Sequence, residues 1–280
     1  MAEELMTRKT ADRLGVGAGL LSIATVVTSA MYGEEAKPEY AFALFGGALI
    51  LLMIALGLAI TGSFSGVFVN QRNLMALSRV QAVLWSIVVL AAYAALVFAR
   101  VHVGDADPLR VEVPGELLTI MGLSTASLLG SPVILRQKAG SAPDAKAVNR
   151  TALALSEKPE DIQANRVGTL YANPLPADAK FWDIFQGDEV GNTGHVDLAK
   201  LQMFCFTVVL ILVYVWATWK ALQNGEMDGL PALSEGMVAV LGISHAGYLG
   251  SKMGDHSESR PEPEKEPGSE SVDVEPPAMG

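Results

Sequence analysis

The stretch LSRVQAVLWSIVVLAAYAALVFAR, residues 77–100, decides the fold class of this chain. From residue 80 onward it holds no charged side chain until Arg100, which closes it. A bilayer core about 30 Å thick needs roughly 20 mostly apolar residues for one α-helix to cross it. The stretch therefore predicts a transmembrane helix at about residues 80–100.

Five further stretches of this kind lie on either side of it, at residues 14–33, 41–62, 117–135, 201–219 and 231–251. Their interiors hold no Lys, Arg, Asp or Glu, apart from Glu235 in the first turn of the last, where the helix dipole favours a carboxylate. The composition agrees, with 50% hydrophobic and 18% charged residues. The sequence predicts an all-α polytopic transmembrane bundle of about six helices.

The basic residues predict the orientation of these helices. If the N-terminus is cytoplasmic, 16 of the 20 Lys and Arg residues fall on the cytoplasmic side. Without the long segment 136–200 the ratio is still 8 to 4. We expect a multi-pass protein of a bacterial cytoplasmic (inner) membrane with both termini inside. A cleavable signal peptide ending near Ala30 is the alternative, and it would leave five helices.

The strongest internal signal is a self-match at an offset of 121 residues. The matched pairs are Phe64 and Phe185, Gly66 and Gly187, Val69 and Val190, Leu77 and Leu198, Arg79 and Lys200, Gln81 and Gln202, Trp85 and Phe206, and Tyr93 and Tyr214. After a one-residue slip, GLSTASLLGS (122–131) matches GISHAGYLGS (242–251). The pattern predicts two parallel copies of a juxtamembrane segment followed by a helical hairpin, related by an axis along the membrane normal.

The repeat divides the chain into five parts. They are an N-terminal transmembrane hairpin (1–62), a first repeat (63–135), a polar cytoplasmic insert (136–183), a second repeat (184–252) and an acidic cytoplasmic tail (253–280). The tail is rich in Pro, Glu and Ser from residue 255 to 275, which predicts disorder. The insert is too polar to promise a large core, so an interfacial helix lying against the headgroups is the simplest interpretation.

Small residues recur every four positions in the second helix of each copy. The stripe consists of Gly122, Ala126, Gly130, Gly242, Ala246 and Gly250. Such glycine-zipper spacing lets helix backbones approach closely in lipid. We expect the stripe to pack against the other repeat of the same chain, or alternatively against another subunit.

The first helix of each copy carries a basic residue, a Gln and an aromatic residue at fixed spacing. These residues are Arg79, Gln81 and Trp85, and Lys200, Gln202 and Phe206. The spacing favours juxtamembrane anchors, with a snorkelling cation and an interfacial aromatic ring. Binding of a ligand or a lipid headgroup is the alternative.

Three polar residues within the predicted helices are candidates for a polar or pore-lining role. Ser124 and Ser244 occupy equivalent positions, and His245 is the ionisable imidazole of these helices. No intramembrane carboxylate accompanies it, so a neutral His bonded to a Ser or a carbonyl is the simpler interpretation than a titrating group.

The segment before the second hairpin holds two candidate features. Phe181, Trp182 and Phe185 form an aromatic cluster that favours interfacial contact or partner docking. The acidic run from Asp188 to Asp197 resembles a calcium loop but fails the EF-hand spacing, so a turn capped by Asp197 is predicted in its place.

Other function classes find no support. The net charge is −10, which disfavours nucleic-acid binding. Phosphate-binding Gly loops, zinc-type Cys/His spacings and nucleophile elbows are missing, so we expect no enzyme activity, no metal and no cofactor. The single cysteine, Cys205, excludes an internal disulfide and is expected to be a small buried thiol.

The run Leu77 to Gln81 with Trp85 and Ser86, together with GISHAGYLGS (242–251), resembles uncharacterised bacterial multi-helix membrane proteins with duplicated hairpins. The resemblance covers roughly residues 62–252 and implies a fold but no activity. The leading hypothesis is a non-enzymatic scaffold or accessory subunit whose partners are the lipid bilayer and either a second copy or another membrane protein. The alternative is an oligomeric channel or facilitator with a Ser/Thr-lined pore.

Overall fold

The computed structural model describes residues 37–257, together with Gly17 and Gly19. The predicted first helix (14–33) and the tail beyond residue 257 lie outside the described residues. Within them the chain forms seven α-helices, joined by loops that contain short 3₁₀ turns and isolated β-bridges. The helices are α1 (Pro38–Thr61), α2 (Leu77–His102), α3 (Gly115–Arg136), α4 (Ala145–Leu155), α5 (Pro159–Asn165), α6 (Leu198–Gln223) and α7 (Glu235–Ser251).

Four of these helices are long and apolar enough to cross a membrane, namely α1, α2, α3 with its 3₁₀ extension to Gly140, and α6. This confirms the prediction of an all-helical membrane protein in its coarse form. The last predicted span begins at Glu235 and not at residue 231, because the Ser234 side chain accepts the Met237 amide and so caps α7 there. At 17 residues α7 is shorter than the other four.

Helix starts and ends follow local chemistry. α1 has Pro38 at its start and ends at Gly62, whose φ of +74° is a left-handed conformation that glycine adopts without strain. Asp197 accepts the amides of Ala199 and Lys200 at the start of α6, which confirms the predicted cap. α2 starts after Ala76 and has no side-chain cap.

The helices α2 and α3 form a first hairpin, and α6 and α7 form a second. α2 contacts α3 and α6, and α7 contacts α3 and α6, so the two hairpins close into a four-helix bundle. α1 packs outside this bundle against α2 and α6. A single apolar core fills the bundle, and its largest buried side chains are Trp85, Tyr214, Leu117, Ile120, Leu96 and Leu241.

The hairpins are also joined at the tips where α2 ends and α6 ends. Glu112 in the α2–α3 loop donates its amide to the carbonyl of Asp228, and its own carbonyl accepts the amide of Leu230. A Cβ on Gly229 would lie 2.8 Å from the Cβ of Glu112, so the two loops are in close contact. We call this end of the bundle the tip end.

At the opposite end, residues 137–197 fold over the bundle as a small cap. In place of the predicted interfacial helix, the two short helices α4 and α5 pack on a core of their own. Its buried members are Leu74, Val148, Ala152, Ile162, Tyr171 and Val190. Because Leu74 belongs to the loop before α2, the cap is packed onto the first hairpin.

Candidate functional site

A carboxylate surrounded by three basic side chains lies where the cap meets the bundle. Asp188 bonds the guanidinium of Arg72 and the ammonium of Lys252, and its Oδ2 lies 3.1 Å from Nζ of Lys200. All four side chains are at most 13% exposed. Arg72 precedes α2, Lys200 lies in the first turn of α6 and Lys252 follows α7. One buried carboxylate therefore ties the cap to both hairpins, and we call these four residues the Asp188 cluster.

Arg72 and its neighbour hold the loop before α2 against the cap. Arg72 Nη1 donates to the carbonyl of Tyr171 at 3.0 Å and to that of Asp188 at 2.8 Å. The side-chain amides of Asn73 and Asn173 each donate to the other's carbonyl at 2.9 Å. These bonds fix the loop, so Arg72 is held in place by the protein around it.

The two lysines are also held by second contacts. Nζ of Lys200 donates to the carbonyl of Gln186 at 2.5 Å. Nζ of Lys252 lies 4.7 Å from the centroid of the Tyr248 ring, a cation–π distance. Both ammonium groups are therefore fixed in direction and point into the joint between cap and bundle.

Burial and charge act in opposite directions on these groups. Burial by itself would raise the pKa of Asp188, but the charges of Lys200, Lys252 and Arg72 outweigh it and hold that pKa well below its usual value. For Lys252 burial is the largest effect, and it lowers the pKa of the ammonium despite the attraction of Asp188. The single carboxylate does not fully compensate the cations that surround it.

A second ion pair lies within the cap, and hydrogen bonds of both its members reach the chain that follows α7. Nζ of Lys138 lies 2.5 Å from Oε1 of Glu189, and it also donates to the carbonyl of Gly254. The other Glu189 oxygen accepts the amide of His256 at 3.2 Å. The first residues after α7 are thus part of the folded cap.

A cavity of about 360 Å³ opens beside the Asp188 cluster. Its charged lining consists of five basic residues, Arg72, Arg79, Arg136, Lys200 and Lys252, and two acidic residues, Asp183 and Asp188. The formal charge of the lining is therefore +3. Burial raises the pKa of Asp183, although the amides of Lys180 and Met75 donate to its carboxylate. We call this space the basic cavity.

One wall of the basic cavity is apolar and belongs to the helices. Leu77 comes from the start of α2, and Leu128, Pro132 and Leu135 come from the end of α3. Pro132 is exposed on the bundle surface, and Leu128 is partly exposed. The cavity therefore combines a positive floor with an apolar side wall at one end of the membrane-crossing helices.

The start of α2 also faces this cavity, because Ala76, Leu77 and Ser78 are among its lining residues. The first amides of a helix have no partner within the helix and carry a partial positive charge. In α6 the equivalent end is capped by Asp197. In α2 the residue 121 positions earlier is Ala76, which has no side-chain acceptor.

Three of the predicted juxtamembrane anchors are buried inside the protein and do not lie at the membrane interface. Trp85 is 2% exposed in the bundle core, with its ring 6.0 Å from that of Tyr214, so it does not lie at the lipid interface. Gln81 is buried and donates to Thr207 Oγ1 at 2.5 Å, and Lys200 belongs to the Asp188 cluster. Gln81 and Trp85 face inward because this side of α2 packs against α6, and Lys200 faces inward because it meets Asp188 of the cap.

The other anchor candidates remain closer to the surface. Gln202 is exposed, and Phe206 is partly buried against the bundle core. Arg79 is partly exposed and lines the basic cavity. Within residues 37–257 no hydrogen bond or ion pair engages the guanidinium of Arg79.

Most of the small-residue stripe does not lie between α3 and α7. Gly122, Ala126, Ala246 and Gly250 are exposed, so their expected packing against the other repeat of the same chain is wrong. Gly130 and Gly242 are partly covered by a leucine of the other repeat, Leu249 and Leu123. The buried faces of these helices consist of other residues, which include Ser124, Ser127, Ser131, Ser244, His245 and Tyr248.

That contact between α3 and α7 is polar. Ser127 Oγ lies 2.6 Å from His245 Nδ1, and Ser131 Oγ lies 3.4 Å from the Tyr248 hydroxyl. Ser124 and Ser244 are buried on the same faces, and their hydroxyls have no partner among the described residues. The candidate polar residues Ser124, Ser244 and His245 are thus all buried within one chain.

The aromatic cluster lies against the start of α6. The rings of Phe181 and Phe185 are 6.2 and 5.0 Å from the ring of Phe204, whereas Trp182 is 64% exposed. Cys205 is exposed on the same helix, so the expectation of a buried thiol is wrong. It is exposed because Met203 and Thr207 occupy the inner face of this turn.

Sequence reasoning missed Arg72, Asp188 and Lys252 as members of one site. In the sequence, Asp188 stands out only as the first residue of an acidic run that does not fit the EF-hand spacing. The sequence did hold a signal for the basic members. Arg72, Lys200 and Lys252 each lie next to the end of a predicted membrane helix, and these three ends are predicted to lie on the same side of the membrane. Among residues 37–257, His, Cys, Asp and Glu do not gather in any group of three that could hold a metal ion.

Comparison with known proteins adds no identity to this site. No protein-family model matches the chain, and neither a curated protein nor a solved structure matches it.

Proposed function

We propose that this chain is a non-enzymatic scaffold or accessory subunit of a membrane complex, and that its cap is the part that docks a partner. The observation that carries the proposal is the rigid attachment of the cap. The Asp188 cluster joins it to both hairpins, so a partner bound to the cap is held in a fixed position relative to the membrane.

The proposed topology has six membrane-crossing helices with both termini in the cytoplasm of a bacterium. α7 has 17 residues, which at 1.5 Å per residue spans about 26 Å and lies at the short end of the transmembrane range. It would be the fifth span among the described residues. The stretch 14–33 would supply the sixth.

We further propose that the two hairpins are tandem parallel copies. α2 and α6 each have 26 residues and start 121 positions apart, at Leu77 and Leu198. α3 and α7 start 120 positions apart, at Gly115 and Glu235. These offsets equal those of the sequence self-match, which supports a duplicated unit.

The cap carries exposed apolar side chains that a partner could cover. Leu153 on α4, Leu175 and Trp182 are each at least 60% exposed. Exposed aromatic and aliphatic side chains on a polar domain are typical of contact surfaces.

The geometry favours a scaffold over a channel. Ser124 and Ser244 are buried within the single chain, so their side chains are not exposed on a surface that several copies could share. Trp85, Tyr214 and the apolar core fill the centre of the bundle, which supports a closed and non-conducting unit.

The test is site-specific photocrosslinking in native membranes. A photoreactive residue at Leu153, Leu175 or Trp182 is expected to give the same crosslinked partner, and the matched exposed polar positions Arg150 and Glu160 are expected to give none. Trp182→Ser should reduce the yield at Leu153 if both side chains belong to one surface. Absence of any product at all three apolar positions would overturn the scaffold proposal.

A further inference from the structure

The Asp188 cluster has too little negative charge for its degree of burial. Three nearly buried cations share one carboxylate, so the formal charge of the cluster is +2. Burying an uncompensated charge costs several kcal/mol, so buried ion clusters normally come close to neutrality. An additional negative group at the site would compensate this excess.

The other nearby carboxylates of the described chain form their own bonds, although Asp183 also attracts Lys200 and Asp197 attracts Lys252 through space. Glu189 pairs with Lys138, and Asp197 caps α6. Asp183 accepts the amides of Met75 and Lys180. Within residues 37–257, therefore, no second carboxylate bonds the three cations.

The guanidinium groups of two further cations reach the same cavity. Arg79 and Arg136 line it, and among residues 37–257 neither side chain forms an ion pair or a hydrogen bond. Arg79 sits in the first turn of α2, next to the uncapped amides that follow Ala76. Arginine side chains and free helix amides together form the usual arrangement for binding phosphate.

The size and the apolar wall of the basic cavity indicate what kind of anion could fit there. Its volume of about 360 Å³ is at the lower end of small-ligand pockets, and it is large enough for a phosphate group with a short attachment. The wall made by Leu128, Pro132 and Leu135 continues onto the membrane-facing surface of α3. An apolar chain attached to the phosphate could follow that wall.

We propose that the basic cavity is a binding site for a phosphate-bearing anion, held by Arg79, Arg136 and the Asp188 cluster at the end of the bundle. The phosphate belongs either to an anionic phospholipid headgroup or to a soluble phosphate compound. The proposal stands apart from the scaffold function, because it concerns the joint between cap and bundle and not the outer surface of the cap.

The test uses the full chain in nanodiscs and two probes. In the lipid arm, nanodiscs of phosphatidylcholine alone are compared with nanodiscs containing phosphatidylglycerol or cardiolipin, and co-purified lipid is counted by native mass spectrometry. In the soluble arm, inorganic phosphate is titrated in phosphatidylcholine nanodiscs while the thermal unfolding midpoint is followed. Retention of anionic lipid alone would assign a lipid headgroup, a response to phosphate alone would assign a soluble ligand, and either result supports the site.

The variants separate this site from general attraction of anions. Arg79→Gln with Arg136→Gln is expected to weaken binding of the responding probe by about tenfold or more, since two charged hydrogen-bond donors to the phosphate are lost. Arg150→Gln removes an exposed arginine of the cap and is expected to leave binding unchanged. The single variant Arg136→Gln, at an exposed position, provides the readout if the double variant does not fold.

Two results would overturn the proposal. One is that neither probe is retained or shifts the unfolding midpoint of the wild-type chain. The other is that folded Arg79→Gln/Arg136→Gln or Arg136→Gln protein binds the probes as tightly as Arg150→Gln protein does.

Discussion

At the scale of single residues, Asp188 decides how the cap is joined to the bundle. Its carboxylate is the shared partner of three cations that come from distant parts of the chain. Removing one partner of a buried charge cluster leaves the others without compensation, and this usually costs more than the intact cluster contributes to stability.

Asp188→Asn is therefore expected to destabilise the joint by about 3–5 kcal/mol. Amide hydrogen exchange of the purified protein should show faster exchange in residues 137–197, with α2 and α6 less affected. Asp161→Asn, at an exposed position on α5, is the matched control and should behave like the wild type. Equal exchange in the two variants would contradict the assigned role of Asp188.

The sequence did not reveal this residue because its importance depends on contacts between distant positions. Asp188 and Arg72 are 116 positions apart, and Asp188 and Lys252 are 64 apart. Local spacing predicted the helix cap at Asp197, because capping is a contact between near neighbours. Nothing local distinguishes a carboxylate that pairs with three cations from one in a solvated turn.

At the scale of helices, the polar contacts lie between hairpins and not only within them. Gln81 on α2 donates to Thr207 on α6, and Ser127 on α3 meets His245 on α7. Hydrogen bonds of this kind between membrane helices contribute roughly 0.6–2 kcal/mol each. Each pair joins one hairpin to the other.

Gln81→Met is expected to lower the unfolding free energy of the bundle by about 1 kcal/mol, because Thr207 loses its interhelical donor while the volume is nearly kept. Its repeat counterpart gives a matched control. Gln202 is exposed on α6, so Gln202→Met should have an effect near zero. Thermal unfolding in one detergent measures both, and equal losses would show that the Gln81 contact is not specific.

Disulfide crosslinking tests which faces of α3 and α7 meet. In a Cys205→Ser background, Ser127→Cys with His245→Cys should form a bond within one chain, because their side chains are in contact. Ala126→Cys with Ala246→Cys should not, since both positions are exposed. An intrachain bond for the second pair and none for the first would contradict the observed α3–α7 interface.

The sequence predicts that these helices exist, but it does not predict which face of each helix is buried. Long apolar stretches predict membrane helices because every backbone group must be bonded in lipid. In α3 and α7 the spacing of Gly and Ala suggested the contact face, yet the Ser, His and Tyr face is buried. Apolarity does not distinguish the lipid-facing side of such a helix from its packed side, because both exclude water.

At the scale of the whole molecule, the bundle is held at both ends. At the tip end, Glu112, Asp228 and Leu230 join the loops of the two hairpins. At the cap end, the Asp188 cluster joins the two hairpins to each other and to the cap. With the core filled by Trp85 and Tyr214 between these two connections, the hairpins act as one unit. Any ligand in the basic cavity therefore contacts both hairpins at once.

This arrangement predicts the side of the membrane on which each end lies. In the Cys205→Ser background, Asp161→Cys on the cap should react with a membrane-impermeant maleimide only when the cytoplasmic face is accessible, as in inverted vesicles. Asp107→Cys, exposed at the tip end, should react in intact cells whose outer membrane has been made permeable. The expectation follows from the basic residues, since most of those within residues 37–257 lie at the cap end. The reverse labelling pattern would place the cap and the basic cavity on the outer side of the membrane and would contradict the proposed orientation.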